Sequence, residues 1–568
     1  MHNEKVASNR FLVSKIVEAI KFCGTFELAL RGHDESENSE NPGIFQGLIN
    51  YTAEIDKTLK DHLERATVFK GTSKEIQNDL LDCIFEVYQE IVSAEIDNAE
   101  FLGIMADETT DVSSKLQTVL IFRYCKDGKP VERFWEFFKS EQQTAEVLSN
   151  LILKALEPLV AKNPNKLIAQ SYDGAAVMSG KQSGVQARIK EKYPVAHFVH
   201  CYAHQLNLIM SQASSQNNDV RLFFGNLSEI PAFFSNSCQR VAFLDRIVKR
   251  KIPRSVPTRW NFKSRTVNVV FEYKEELIEC MEEIEESPGV NVSTKTQAGA
   301  IRRLLQEKSF VFWLTFFHYV MPHVDIFFNE LQRRLIDSVQ IGKCLKKFKE
   351  SISNIRNEKL YDILNEAKAL QVTETKRRKL NEDTWRASAI EVCDVIINVA
   401  EDRFAYTDQL NAANLFICER FELYDRSFPD DYFKRTIESY PMLEKNRLKT
   451  ELTLLYSSAE YRTFSSCAVL LSFIIDSNLQ EVFTETIKLL NILVTMPMTT
   501  VEAERNFSSL KRIKTFLRST MSQDRLNALA CLSIEQKLIR SIPDFNEKVI
   551  DKFALKKDRR IDLVFKRK

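Results

Sequence analysis

No two cysteines in this chain are spaced as CxxC, although there are eleven of them. Odd in number and unclustered, they read as reduced, mostly buried thiols of a cytosolic or nuclear protein. A zinc finger of two cysteines and two histidines, or of four cysteines, is excluded on spacing alone. No apolar run is read as reaching the ~18 residues a membrane helix needs. The opening MHNEKVASNR is no secretory signal, so the protein is expected inside the cell. Charge of one sign is also not in excess. With 79 basic and 78 acidic residues the net charge is +1, which gives no global argument for a nucleic-acid partner.

What is present is 568 residues, too many for one core at roughly 100–200 residues per domain. Hydrophobic residues at 44% and charged ones at 28% describe an ordinary soluble protein. The basic charge is local. Between Arg246 and Arg265 stand Arg246, Lys249, Arg250, Lys251, Arg254, Arg259, Lys263 and Arg265, with no acidic residue. From Glu547 to Lys568 there are nine basic and four acidic residues. Contact with a phosphate backbone requires such blocks. A solvated face is the alternative for the first, and a disordered tail is the favoured reading of the second.

Residues 8–100 carry helical periodicity, with one stripe at Phe11, Ile16, Ile20 and Phe22 and another at Ile76, Leu80, Ile84, Val87 and Ile91. The period then changes. FLGIMAD (101–107), QTVLIFRY (117–124) and VERFWEFF (131–138) read as strands, with the turn signal KDGKP between the last two. An amphipathic helix over 144–162 follows, then a strand KLIAQSYD (166–173), another helix, and a fifth strand HFVHC (197–201). From about 262 to 490 nearly everything reads helical. A further helix opens at Thr499, where Thr-x-x-Glu has capping-box spacing.

Asp107 ends the first strand and Asp173 the fourth. If those strands are parallel neighbours, both carboxylates sit at the carboxyl edge of the sheet, where α/β proteins place ligands. Two carboxylates there call for a cation, and oxygen-only ligation favours Mg²⁺ or Mn²⁺ over zinc. Aspartates after strands are also common caps and turn residues.

Beyond these patterns, FLGIMADETTDVSSKLQTVLIFRY, QSYDGAAVMSG and HCYAHQLNLI resemble the catalytic region of hAT superfamily transposase-like proteins. They look closest to the branch with the DUF4371 domain that includes the zinc-finger MYM-type proteins. TTVEAERNFSSLKRIKTFLRSTM is similar to the hAT C-terminal dimerisation segment. The resemblance implies an α/β ribonuclease-H-like core interrupted by a large all-α insertion, after a helical N-terminal region. The divisions expected are 1–97 helical, 98–262 first part of the core, 263–465 helical insertion, 466–540 dimerisation region completing the core, and 541–568 basic tail. The family's N-terminal zinc finger has no counterpart here, and Met1 falls where relatives are already in the helical region.

The resemblance further implies a DDE triad holding Mg²⁺ or Mn²⁺, matched by Asp107, Asp173 and Glu504. Glu502 is a rival for the third acid, since Glu502-Ala503-Glu504-Arg505 departs from the family's small residues before the glutamate. The helix macrodipole alone would also favour a glutamate there. Cys201-x-x-His204 matches a family CxxH motif and reads as structural or DNA-positioning; zinc with His197 and His200 lacks a second ligand pair. Arg259-Trp260 resembles an RW motif, the tryptophan stacking on a base while Arg259, Lys249, Arg250, Lys251 and Arg254 hold phosphate. A core tryptophan is the alternative. KRRK (376–379) has the composition of a nuclear-localisation signal or of an exposed loop. The implied partners are DNA and a second copy of the chain, in the nucleus, with no membrane and no small-molecule substrate. Two functions remain: Mg²⁺-dependent DNA cleavage and strand transfer, or a domesticated, non-catalytic binding and regulatory factor.

Overall fold

Five short apolar segments pair into one sheet: β1 (Leu102–Thr110), β2 (Leu116–Lys126), β3 (Lys129–Ser140), β4 (Leu167–Tyr172) and β5 (His197–His200). Each lies within three residues of its expected ends. The computed structural model describes residues 2–566 apart from 33, 36–38, 254–259, 335, 371–381 and 405–407. The strand order is β3-β2-β1-β4-β5. The first three strands form an antiparallel meander, and β4 and β5 add in parallel to β1. Asp127 and Gly128, with φ of 51° and 72°, make the tight turn between β2 and β3 that right-twisted hairpins favour. Every residue of β4 is buried, as expected of a parallel strand covered on both faces.

The chain forms two compact units, Met1–Cys201 with Cys418–Lys568, and Tyr202–Ile417. In the first, the Ala145–Val160 helix buries Leu148, Ile152, Leu156 and Leu159, and Thr144 caps it by accepting the Val147 N–H at 3.4 Å. The C-terminal helices finish the sheet. β3 is an edge strand whose free N–H groups would otherwise template aggregation. Helix side chains take them: Phe134 N–H donates to Glu535 Oε1 at 2.8 Å and Phe137 N–H to Asn527 Oδ1 at 2.9 Å.

The N-terminal helices join the same core, with one change from the expected stripe. In the His2–Thr25 helix the buried face is Val13, Ile16, Val17, Ile20 and Cys23, whereas Phe11 and Phe22 are each 44% exposed. The C-terminal segment is ordered against these helices, contrary to the disordered tail expected. Phe545, Val549, Ile550 and Phe553 are buried. Its cations face acids of the Lys74–Asn98 helix: Lys556 pairs with Glu86 at 2.7 Å, and Lys557 and Arg559 with Asp79 at 2.7 and 2.5 Å.

The Tyr202–Ile417 unit contains helices and no strand among the described residues. One of them, Lys308–Leu331, is long and apolar enough to cross a membrane by length and composition, which corrects the reading that no such run exists. Its apolar side chains, among them Phe312, Trp313, Phe316, Phe317 and Val320, are buried inside the unit. A helix apolar on all sides is a core helix here.

One acid in the sheet is poorly placed for charge. Burial pushes the half-buried Glu136 carboxyl of β3 up to about 7, against the opposing pull of Trp135 and Lys154. The folded chain therefore holds this proton more tightly than the unfolded one, and stability falls as pH rises from about 4.3 towards 7. Glu136→Gln is expected to raise the melting temperature at pH 8 and to leave it unchanged at pH 4. An equal effect at both pH values would reject the ionisation argument.

Candidate functional site

The β1–β4 register pairs Met105 with Ser171. Two residues further along the chain from each stand Asp107, within β1, and Asp173, just past the end of β4, both at the carboxyl edge of the sheet and half-buried. Asp107 lies within β1 rather than at its end, opposite Val119 of β2. Its Oδ1 accepts the Glu108 N–H at 2.8 Å. Asp173 Oδ1 accepts the Ala175 N–H at 3.2 Å and so shapes the turn after β4.

A third acid at this edge, Glu108, had escaped the sequence reading. Its carboxylate accepts from Thr118 Oγ1 at 3.3 Å and from Gln143 Nε2 at 3.1 Å. Its pKa is raised, chiefly by burial; those two hydrogen bonds oppose the shift and the charge of Asp173 adds to it. Adjacent residues of a strand face opposite sides, so Asp107-Glu108 offers one acid to each. The available signal was that dipeptide; the partner strand was not visible in it.

The Val501–Ile513 helix packs against β1 and β2, burying Ala503, Phe507, Leu510 and Ile513, with Phe507 stacked on Phe137 at 6.3 Å. Glu504 is half-buried at the border of that face. Glu502 is 8% exposed and paired with Arg505 at 2.7 Å. The expected capping box is not formed: Thr500 is the N-cap residue and its side chain makes no capping bond. Instead the Thr500 N–H donates to Cys201 Sγ at 3.2 Å, while the Cys201 N–H donates to Tyr172 O at 3.2 Å. Cys201, buried after β5, thereby ties the end of β4 to the start of the helix bearing both glutamates. His204 lies in the Tyr202–Gln216 helix of the other unit.

His197 is held by packing. Its Nε2 is 3.1 Å from Ser439 O, its ring meets Tyr440 edge-on at 5.4 Å, and burial lowers its pKa.

Among the described residues no three His, Cys, Asp or Glu side chains are grouped closely enough to hold a metal ion. Asp107 and Asp173 have the oxygen donors and edge position that suit Mg²⁺ or Mn²⁺. The helix that bears Glu504 packs on β1 and β2, and Glu504 does not complete a three-acid group with the two aspartates.

In the helical unit, Lys249, Arg250 and Lys251 follow the Cys238–Ile247 helix and are all exposed. Arg254, Arg259 and the 376–379 basic run lie outside the described residues. Trp260, expected to stack on a base, is 1% exposed. Its Nε1 donates to Ser211 Oγ at 3.1 Å, Phe224 meets its ring edge-on at 5.0 Å, and Lys263 Nζ lies 4.0 Å over it. The indole has no free face for a base and serves the core of this unit.

Comparison with known proteins places these features in a class. Residues 1–184 match the DUF4371 family, described as a ZMYM1/FAM200, RNase-like domain, and residues 469–538 match the hAT family C-terminal dimerisation region. The chain thus combines a region similar to an RNase-like domain with one similar to the hAT dimerisation region. The two matches together liken the chain to the hAT transposase-like proteins of the DUF4371 branch. The human 52 kDa repressor of the inhibitor of the protein kinase is 20% identical over 574 residues, covering 93% of this chain and 74% of that protein. Its mouse counterpart is 21% identical over 293 residues, covering 49% of this chain and 38% of that protein.

Proposed function

We propose that the protein is a nuclear, DNA-binding, self-associating member of the hAT group whose DNA-processing site is the carboxyl edge of the sheet. Asp107 and Asp173 are its first two acids and Glu504, delivered by the Val501–Ile513 helix, its third. The observation that supports this reading is the β1–β4 register, which pairs Met105 with Ser171, each two residues before one of the two aspartates. Mg²⁺ or Mn²⁺ bound there would offset negative charge on a phosphoryl group undergoing displacement. Lys249, Arg250 and Lys251 are the phosphate contacts, and the Tyr202–Ile417 unit is the helical insertion of a ribonuclease-H-like core.

A second reading has its own support. The relatives carry the name of a repressor, and Glu504 is not grouped with the two aspartates. On that reading the chain keeps fold, self-association and DNA binding as a domesticated regulatory factor. Nicking of supercoiled plasmid by purified protein in Mn²⁺ separates the two. Activity abolished by Asp107→Asn, Asp173→Asn and Glu504→Gln, and retained in Glu502→Gln, is expected for the first. Folded, DNA-binding protein with no metal-dependent nicking in any form establishes the second. Loss in Glu502→Gln with activity in Glu504→Gln would reassign the third acid.

A further inference from the structure

Away from the acidic edge, three arginines line one cavity of about 400 Å³. Arg31 comes from the segment after the first helix, and Arg518 and Arg525 from the region matched to hAT dimerisation. All three are half-buried. Their hydrogen bonds go to neutral oxygens. Arg31 Nη2 donates to Lys74 O at 3.0 Å and Asn78 Oδ1 at 2.9 Å, Arg525 Nη1 to the same Asn78 Oδ1 at 3.2 Å, and Arg518 Nη1 to Glu27 O at 2.7 Å. Arg31 Nε is buried and has no hydrogen-bond partner. Among the described residues none of the three guanidiniums is ion-paired.

The nearest acids are engaged elsewhere. Glu27 accepts from Arg512 Nη2 at 2.8 Å and Ser533 Oγ at 2.7 Å, and Glu35 pairs with Lys74 at 3.2 Å. Burial, then the charges of Arg31 and Arg518, bring Arg525 down to about 10. Ser522 also lines the cavity; it is the N-cap of the twelve-residue Gln523–Ile534 helix, and its side chain makes no capping bond. Arg525 therefore sits in a first helical turn, where the macrodipole disfavours a cation. Like charges held together, partly dry, at the positive end of a helix are unfavourable until an anion joins them. Arginine forks suit phosphate oxygens in particular.

We infer that this cavity is a phosphate-binding site, formed by Arg31, Arg518 and Arg525 and oriented by Asn78, that holds a backbone phosphodiester of DNA. The assignment to DNA rests on the DNA-binding reading above. No aromatic ring is among the cavity's described lining residues to hold a base, which favours recognition of the phosphate alone.

The test uses the full chain and a fluorescent 30-base-pair duplex, with affinity measured against salt for the wild type and for Arg31→Gln, Arg518→Gln and Arg525→Gln. Each variant is expected to lose about fivefold in affinity near 0.15 M salt and about 0.9 from the magnitude of the salt slope. Its melting temperature should hold or rise, because a like charge has been removed. Unchanged affinity and slope in all three would overturn the site; a fall in melting temperature with unchanged slope would make the arginines structural. If the wild type binds no duplex, the DNA reading itself fails, and inorganic pyrophosphate becomes the deciding probe. A thermal upshift in the wild type that Arg525→Gln abolishes would leave an anion site for a free phosphate and overturn its assignment to DNA. No upshift would overturn the site as well.

Discussion

Replacing Lys514 with methionine is expected to destabilise the sheet-containing unit by about 3–5 kcal/mol. Lys514, at the end of the Val501–Ile513 helix, pairs with Asp111 in the β1–β2 hairpin at 2.6 Å, the two side chains being 3% and 0% exposed. Asp111 is fully used. It also accepts from Ser113 N–H at 2.7 Å, Lys115 N–H at 3.1 Å and Gln117 Nε2 at 3.1 Å. Removing the lysine leaves a buried carboxylate with amide donors but no counter-charge. Against a net stability of about 5–15 kcal/mol for a typical domain, that loss is large.

The comparison that isolates the charge is Asp111→Asn with Lys514→Met together, which should recover part of what Lys514→Met alone loses. Urea unfolding reads all three proteins. A Lys514→Met variant within about 1 kcal/mol of wild type would mean that the pair is solvated and structurally dispensable. The pH dependence has a definite sign. Burial pushes the Asp111 carboxyl up, but Lys514, the Lys115 N–H, the Gln117 amide and the Ser113 N–H together bring it below the ordinary value. A depressed folded pKa means that the stabilisation is present above the unfolded carboxylate value of about 3.9 and is lost as pH falls through the folded one. The gap between wild type and Lys514→Met should therefore persist at pH 5 and close only in stronger acid.

That ion pair also marks the limit of what the linear chain discloses. Short β-rich runs between turn signals located all five strands, and the turn chemistry of Asp127-Gly128 located the hairpin, because both are local properties of the chain. Asp107 and Asp173 were legible as acids closing apolar runs, although the first strand continues past Asp107. Asp111 and Lys514 were not legible as partners, being 403 positions apart. The same holds for Cys201 and Thr500: a capping-box spacing was present, yet the thiol of a distant strand end took the N–H. Phe11 and Phe22 satisfied a helical stripe that the packing did not use. For Trp260 the basic neighbourhood favoured a DNA-facing ring, while the actual packing partners, Phe224 and Ser211, lie 36 and 49 positions away. Glu108 was hidden for a related reason, since its exposure to the charge of Asp173 depends on how distant segments pair.

The register of β1 against the C-terminal region is also where a single methyl group should matter most. A Cβ on Gly103 would lie 2.8 Å from Thr495 O and 3.1 Å from Pro497 Cδ. Neither neighbour is the free end of a flexible side chain, so the strand and the 495–497 segment would have to separate. That segment is also held by the cross-strand partner of Gly103: Arg123, 3% exposed and paired with Glu132 at 2.7 Å, donates from Nε to Val494 O at 3.0 Å. Gly103→Ala is expected to destabilise the unit by about 2–3 kcal/mol as an overpacked contact. Gly47 gives the contrast. In the Ile44–Ile55 helix its Cβ would meet nothing within 4 Å, so Gly47→Ala should stabilise by about 0.5–1 kcal/mol. The functional consequence of Gly103→Ala follows from position. Asp107 stands four residues along the same strand, and Pro497 leads into the helix that carries Glu504. A shift at Gly103 would alter the placement of Glu504 relative to Asp107 without touching either. If the acidic edge cleaves DNA, Gly103→Ala should lower nicking more than its loss of stability explains, with duplex affinity retained. Nicking that simply tracks the folded fraction would show that the position of the Val501–Ile513 helix does not govern the chemistry.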